Sequence, residues 1–181
     1  PYCIARDQAA HTPAAYIDRT IASNEQERQL AEPFAPRLHT WRLQAPLQTR
    51  VSDGEVPAYY RVLTGWQGEL FGPWVSREWI DQVLDAVRTS ANQDLPWQYL
   101  FLTKHPARLL EIDWPANAWV GVTVDGQERV PAAEETLCEL KQRYPDMVTY
   151  LVCEPLREAL RFTSLSMCSW LLIGGQTRTA T

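Results

Sequence analysis

The sequence predicts an α/β fold in which five parallel strands form a partial, TIM-like barrel. Five short apolar runs recur along the chain, a small polar cluster follows each run, and helix-like segments separate most of them. Continuous apolar runs are typical of parallel strands, because such strands are buried on both faces. Strands that alternate with helices form a parallel sheet with right-handed crossovers. An open, doubly wound sheet is the alternative arrangement of the same elements.

The predicted strands and helices follow one another in a regular order. Ser76 is the predicted N-cap of a helix that ends near residue 92, Pro106 opens a short helix, and Pro131 opens a helix that reaches about residue 143. The apolar residues of the first of these helices fall on one face, which we expect to be buried. Segments 2–10 and 13–32 also have helical composition. The predicted strands are 59–64, 98–103, 118–124, 148–153 and 169–173.

Length and composition indicate a single globular domain over residues 1–181. We expect this domain to be incomplete, with its first strand missing, because a β/α barrel should not open on a helix and its last strand should be followed by a helix. The formal net charge is −5 and there is no large basic patch, so the charge does not indicate a nucleic-acid partner. No apolar run is long enough to cross a membrane. The four cysteines form neither a CxxC pair nor a dense disulfide framework, which predicts a cytoplasmic protein.

Polar residues follow the predicted strands at the ends where the strands of a parallel barrel meet. Lys104, Asp125 and Glu154 each come directly after an apolar run. Active sites of α/β folds lie at this rim, and these residue types are suited to acid/base chemistry. We therefore predict that the three residues are catalytic. The alternatives are that they are ordinary loop residues, or that Glu154 forms an ion pair with Lys104.

Gly174 and Gly175 follow the last apolar run and predict a place where a ligand approaches the backbone. Glycine allows close approach and positive φ, and exposed backbone N–H groups bind carboxylate or phosphate. An ordinary glycine turn is the alternative interpretation. The pair is not part of a P-loop, because no Lys-Ser/Thr follows it, and it does not fit GxGxxG.

Cys3 stands at the start of the first predicted helical segment. A cysteine in this place is either the last member of a CxxC ligand set or a lone structural cysteine. Cys138, by contrast, lies within a helical pattern, and we expect it to be a small buried residue.

Several segments occur in an order that is more specific than any one of them alone. They are PRLH (36–39), GELFG (68–72), FLTK (101–104), WVGVTV (119–124), CEPL (153–156) and IGGQ (173–176). The resemblance that they carry extends over nearly the whole chain. In this order they resemble an uncharacterised family of phage and bacterial proteins with an N-terminal three-cysteine motif. That family is similar to the radical S-adenosylmethionine (SAM) enzymes, of which it looks like a divergent branch.

The resemblance implies that the full-length protein binds a 4Fe–4S cluster and SAM. Cys3 would be the last of three cluster ligands, and the other two would precede residue 1. The resemblance suggests that the strand-end residues line the cavity for SAM and substrate, namely Glu69, Lys104, Asp125, Glu154 and Gln176. Of these, Glu69 and Gln176 would bind the cofactor together with the glycine pair. The family often has Asp in place of Glu69 and Glu in place of Gln176, and Ile4 replaces an aromatic residue beside the last cysteine.

Three functions follow as expectations. The first is a radical-SAM-like enzyme whose substrate the sequence does not reveal. The second is a cluster-independent barrel enzyme that uses acid/base chemistry on an anionic substrate held at the glycine pair. The third is a phage or defence-associated protein that binds a partner protein without catalysis.

Overall fold

The computed structural model describes residues 38–49, 60–65 and 68–175, and within them it confirms the parallel α/β architecture. All neighbouring strands pair in parallel, and the sheet runs β1-β2-β3-β4-β5 in chain order. The order of the five described strands never reverses, so they contain no topological switch point and the doubly wound alternative is wrong. The strands are β1 (Tyr60–Thr64), β2 (Trp97–Thr103), β3 (Ala118–Thr123), β4 (Thr149–Leu156) and β5 (Trp170–Gly175).

The connections between the first four strands are helical, as predicted. A 3₁₀ turn (Thr40–Gln44) and a single-turn helix α1 (Ala45–Gln48) precede β1, and α2 (Arg77–Asn92) joins β1 to β2. The short helix after β2 is a 3₁₀ helix (Pro106–Glu111), and α3 (Val130–Arg143), preceded by a 3₁₀ turn (Gln127–Arg129), joins β3 to β4. In the described part of the chain, no helix has the length and apolarity that a membrane crossing requires.

The connection from β4 to β5 contains no helix. Residues 157–169 form an irregular segment whose backbone is held by side chains from the preceding β/α unit. Gln127 forms a pair of hydrogen bonds with the backbone of Arg161, at 2.7 and 3.0 Å. Glu134 Oε1 accepts hydrogen bonds from the backbone N–H groups of Thr163 and Ser164. Backbone polar groups of this helix-free crossover are thus satisfied by side chains distant in the sequence.

The hydrophobic core lies between the convex face of the sheet and the helices. Side chains alternate between the two faces of a strand, so every second residue of β2, β3 and β4 packs against the helices. Tyr99, Phe101, Val120, Val122 and Leu151 form one core cluster with the buried face of the helices, namely Ile80, Val83, Leu84 and Val87 of α2 and Ala133, Leu137 and Leu140 of α3. The amphipathic face predicted for α2 is therefore confirmed.

The sheet is curled into a half-barrel. Arg61 of β1 places its guanidinium 5.0 Å from the ring centroid of Trp119 in β3 and 5.8 Å from that of Trp170 in β5. Four strand spacings would put β1 and β5 about 19 Å apart in a flat sheet. Side chains of the first and last strands meet because the sheet curves, and they meet on its concave face.

Candidate functional site at the carboxyl ends of the strands

The parallel strands bring their carboxyl ends to one edge of the half-barrel, which we call the rim. Glu69, in the loop after β1, is bound at the rim through both carboxylate oxygens. Oε1 accepts from Thr103 Oγ1 at 2.7 Å and from the Phe71 N–H at 3.1 Å, and Oε2 accepts from the Lys104 N–H at 3.0 Å. Glu69 therefore ties the β1 loop to the end of β2, and its carboxylate is already engaged within the protein.

Lys104 and Asp125 form an ion pair between the loops that follow β2 and β3. Lys104 Nζ donates to Asp125 Oδ2 at 2.7 Å, and the Asp125 side chain is largely buried while that of Lys104 is half exposed. Arg129 Nε lies 2.8 Å from Oδ1 of the same carboxylate. That N–H is not aligned for a hydrogen bond, so the attraction is one of charge. Asp125 is therefore bracketed by two cations.

The environment of Asp125 favours its ionised form. Burial is the largest influence and raises the pKa of this carboxyl. The hydrogen bond from Lys104 and the positive charges of Lys104 and Arg129 act in the opposite direction and together outweigh burial, so the pKa is lowered from its ordinary value of 3.8. Asp125 is consequently a carboxylate near neutral pH and has no proton to donate.

Glu154 lies within β4 rather than in a loop after it, and the glycine pair lies within β5. The predicted strand ends at 153 and 173 are therefore corrected outward to Leu156 and Gly175. The pairing of β4 with β5 shifts by one residue between Cys153 and Leu156, which is a β-bulge at the Glu154-Pro155 step. Bulges re-aim side chains and are common beside active sites. Glu154 thus presents its side chain at an irregular point of the rim.

The Glu154 side chain occupies the space where a Cβ of Gly174 would stand. An added Cβ at Gly174 would lie 2.6 Å from Glu154 Cδ, whereas one at Gly175 would meet nothing within 4 Å. The absence of a side chain at Gly174 thus makes room for Glu154. Of the two glycines, Gly175 is the one with open space beside its backbone. Glu154 is exposed and forms no hydrogen bond or ion pair with any described residue. The predicted Lys104–Glu154 pair is absent from this part of the chain, because Lys104 is bound to Asp125.

An exposed tryptophan stands at the β1 and β2 side of the rim. The Trp74 ring packs edge-on against His105 at 5.7 Å and over Gly72, where a Cβ would lie 2.5 Å from the indole. Arg108 fixes the loop beneath it by donating to the carbonyl oxygens of Gly72 and Val75 at 2.6 and 2.9 Å. The Trp74 side chain is 56% exposed. The loop is thus held by Arg108, while the tryptophan ring that it carries faces solvent.

The structure brings five predicted site residues to the rim and leaves two outside its description. Cys3 and Gln176 are not among the described residues. Cys138 is exposed, so the expectation that it is buried is wrong. Residues 38–49, 60–65 and 68–175 contain no group of three or more His, Cys, Asp or Glu side chains that could hold a metal ion. The five residues at the rim are Glu69, Lys104, Asp125, Glu154 and Gly174, and Gly175 lies beside them at the end of β5.

Two residues of this network were not predicted. Arg129 follows Asp125 by four residues, and that spacing of opposite charges at a strand-to-helix junction is the available signal. Thr103 is the polar residue that ends the apolar strand β2. This position is the signal in the sequence that could have indicated its hydrogen bond to Glu69.

The chain was compared with known protein families, curated proteins and solved structures. It matches the family "Protein of unknown function (DUF5131)" over residues 2–180. The chain belongs to the DUF5131 family. No curated protein and no solved structure matches it. DUF5131 membership covers the whole described half-barrel, so the rim belongs to a scaffold that other members of the family share.

Proposed function

We propose that the chain is the barrel portion of a radical-SAM-like enzyme of phage or bacterial origin that acts in the cytoplasm. In the full-length protein, Cys3 and two cysteines before it would bind a 4Fe–4S cluster, and SAM would bind at the rim. Two things support this proposal: the parallel half-barrel, and the resemblance of the ordered segments to a three-cysteine family that looks like a divergent branch of the radical SAM enzymes. The membership of a family of unknown function is compatible with it.

The observation that carries the proposal is the Glu154 carboxylate at the bulge in β4, which has no partner among the described residues. SAM bears a positive sulfonium and a positive ammonium group, and an exposed carboxylate without a partner among the described residues can attract either. Gly175, with open space beside its backbone at the adjacent strand end, leaves room for a ligand. The side chains at this edge of the rim therefore suit a cationic cofactor.

The described residues offer no thiolate set for an iron–sulfur cluster. When bound, the cluster would supply the electron that cleaves SAM. The chain's own contribution is to hold the rim rigid. Glu69 joins the β1 loop to β2, and Asp125 joins the β2 and β3 loops through Lys104 and Arg129.

Acid/base catalysis by Lys104, Asp125 and Glu154 is less well supported than the first proposal. Lys104 and Asp125 neutralise each other, and the lowered pKa of Asp125 keeps it ionised. Only Glu154 of the three is unpaired among the described residues. No observation on the described residues favours the binding-protein alternative.

The test is anaerobic reconstitution of the full-length protein with ferrous iron and sulfide. We expect a coloured iron–sulfur protein that, after reduction, converts SAM to 5′-deoxyadenosine, measured by chromatography. C3A should lose the visible absorbance, whereas C138A, which removes an exposed thiol of α3, should keep it. A reconstituted protein without cluster absorbance, or with absorbance that C3A does not change, would refute the cluster assignment.

A second measurement addresses the cofactor site alone. We expect E154Q to weaken SAM binding about ten-fold, equivalent to about 1.4 kcal/mol. E139Q, which neutralises an exposed glutamate on α3, is the matched control and should bind SAM normally. Equal affinity of E154Q and the unmodified protein would remove Glu154 from the SAM site.

A further inference from the structure

A cluster of aromatic side chains and one arginine lies on the concave face, below the rim. We call it the floor, and its members are Arg61, Trp119, Tyr150 and Trp170. Trp119 and Trp170 meet edge-to-face at 6.3 Å, Tyr150 and Trp170 lie 6.0 Å apart, and the Arg61 guanidinium is within 6 Å of both tryptophan rings. The floor is separate from the hydrophobic core, which lies on the other face of the sheet.

The floor is partly open to solvent. Trp170 is 38% exposed, and Leu63, two residues after Arg61 on the same face of β1, is 43% exposed. Arg61 is exposed and forms no ion pair or hydrogen bond with a described residue, and its guanidinium contacts the two tryptophan rings. The Tyr150 side chain is held against the sheet, because its hydroxyl donates to the Phe101 carbonyl of β2 at 2.8 Å and its ring packs over Gly121 of β3.

We propose that the floor binds the substrate of this enzyme, and that the substrate is a nucleotide. Its planar base would stack on the exposed ring of Trp170, and its phosphate would pair with the guanidinium of Arg61. Bases stack favourably on aromatic side chains whatever their sequence. A guanidinium already held over an aromatic ring is a preorganised phosphate ligand. The geometry thus combines the two groups that a nucleotide requires.

A mononucleotide fits the chain better than a nucleic-acid strand does. Strand binding needs several phosphate contacts and hence a basic surface, whereas the chain carries a formal net charge of −5. The floor also lies close enough to the rim for a bound nucleotide to reach the SAM site that we propose there. Trp170 precedes Gly174 by four residues, about 13 Å along β5, so a nucleotide on the floor would extend toward Glu154. The role of the floor as a substrate site rests on the proposed function, but nucleotide binding itself does not.

The test is calorimetric titration without cluster, reductant or SAM. The probe is uridine 5′-monophosphate, since a pyrimidine does not mimic the adenine of SAM. We expect it to bind at least about ten-fold more tightly than uridine or ribose 5-phosphate, each of which lacks one of the two groups. R61Q should lower the affinity for uridine 5′-monophosphate about ten-fold, and R61K should lower it less. R42Q is the matched control, because Arg42 lies 5.0 Å from the Trp41 ring in a similar pair on the 3₁₀ turn that precedes α1.

Equal affinities for the three probes, or equal effects of R61Q and R42Q, would overturn the proposal. Tight binding of a single-stranded ten-nucleotide RNA without binding of uridine 5′-monophosphate would replace it with strand recognition. Thermal melting shows whether the R61Q protein folds. If it does not, the affinities of the unmodified protein for the three probes decide whether the floor binds a nucleotide. Nucleotide binding with failed cluster reconstitution would leave the floor intact and refute only the radical-SAM proposal.

Discussion

At the scale of single residues, Asp125 combines burial with two cationic neighbours. Because its pKa is lower in the folded than in the unfolded state, the ionised form stabilises the fold above about pH 4, and this stabilisation is lost as the pH falls through the folded-state pKa. We expect D125N to lower the free energy of unfolding by about 1–2 kcal/mol at pH 7, and by less at pH 3. Urea unfolding at both pH values measures the difference. D146N, at an exposed turn, is the control, and a pH-independent loss in D125N would contradict the prediction.

The two glycines of β5 provide a matched pair of substitutions. G174A places a Cβ against the Glu154 carboxyl group and must displace it, whereas G175A meets nothing. The Glu154 side chain is flexible, so we expect little change in melting temperature for either variant. If Glu154 binds SAM, G174A should weaken SAM binding about ten-fold. Similar SAM affinities for the two variants, measured by calorimetry, would argue against a role for the position of Glu154.

The sequence places residues at the rim but does not reveal their partners. Lys104, Asp125 and Glu154 follow or end apolar runs, and parallel strands bring such positions together. Which carboxylate Lys104 binds depends on side-chain geometry across two loops, and the sequence equally permits Glu154. The bulge that sets Glu154 apart arises from the pairing of β4 with β5, which no local pattern encodes.

At the scale of elements, α2 depends on a cap that the sequence predicted. The Trp79 N–H donates to Ser76 Oγ at 3.3 Å, and the apolar face of the helix then packs on the sheet. S76A should destabilise the protein by about 1 kcal/mol, since an N-terminal N–H loses its acceptor. S76D keeps an acceptor and should retain most of the stability in chemical denaturation. Equal losses in S76A and S76D would show that the cap does not matter.

The crossover from β4 to β5 shows where element prediction reaches its limit. Strong periodicity and proline signals located α2 and α3 correctly, because those helices bury a continuous face. Residues 157–169 carry no such pattern, and their conformation is determined by Gln127 and Glu134 from the preceding unit. Long-range bonds of this kind have no signature within the segment itself.

At the scale of the whole molecule, burial is uneven across the sheet. Strands β2, β3 and β4 are covered by helices on the convex face, whereas β1 and β5 have exposed apolar side chains, with Leu63 at 43% and Ile173 at 65% exposure. We expect amides of the three middle strands to exchange with solvent at least about ten-fold more slowly than those of β1 and β5. Hydrogen-exchange mass spectrometry measures this, and uniform protection across five strands would contradict it.

The described parts of the four crossovers pack on the convex side, and none of these parts blocks the hollow of the half-barrel. A molecule bound in the hollow could therefore dissociate without a conformational change in these connecting segments. Its dwell time would then be governed by the strength of its contacts with the side chains of the hollow, and it could be tuned by single substitutions that leave the backbone scaffold unchanged.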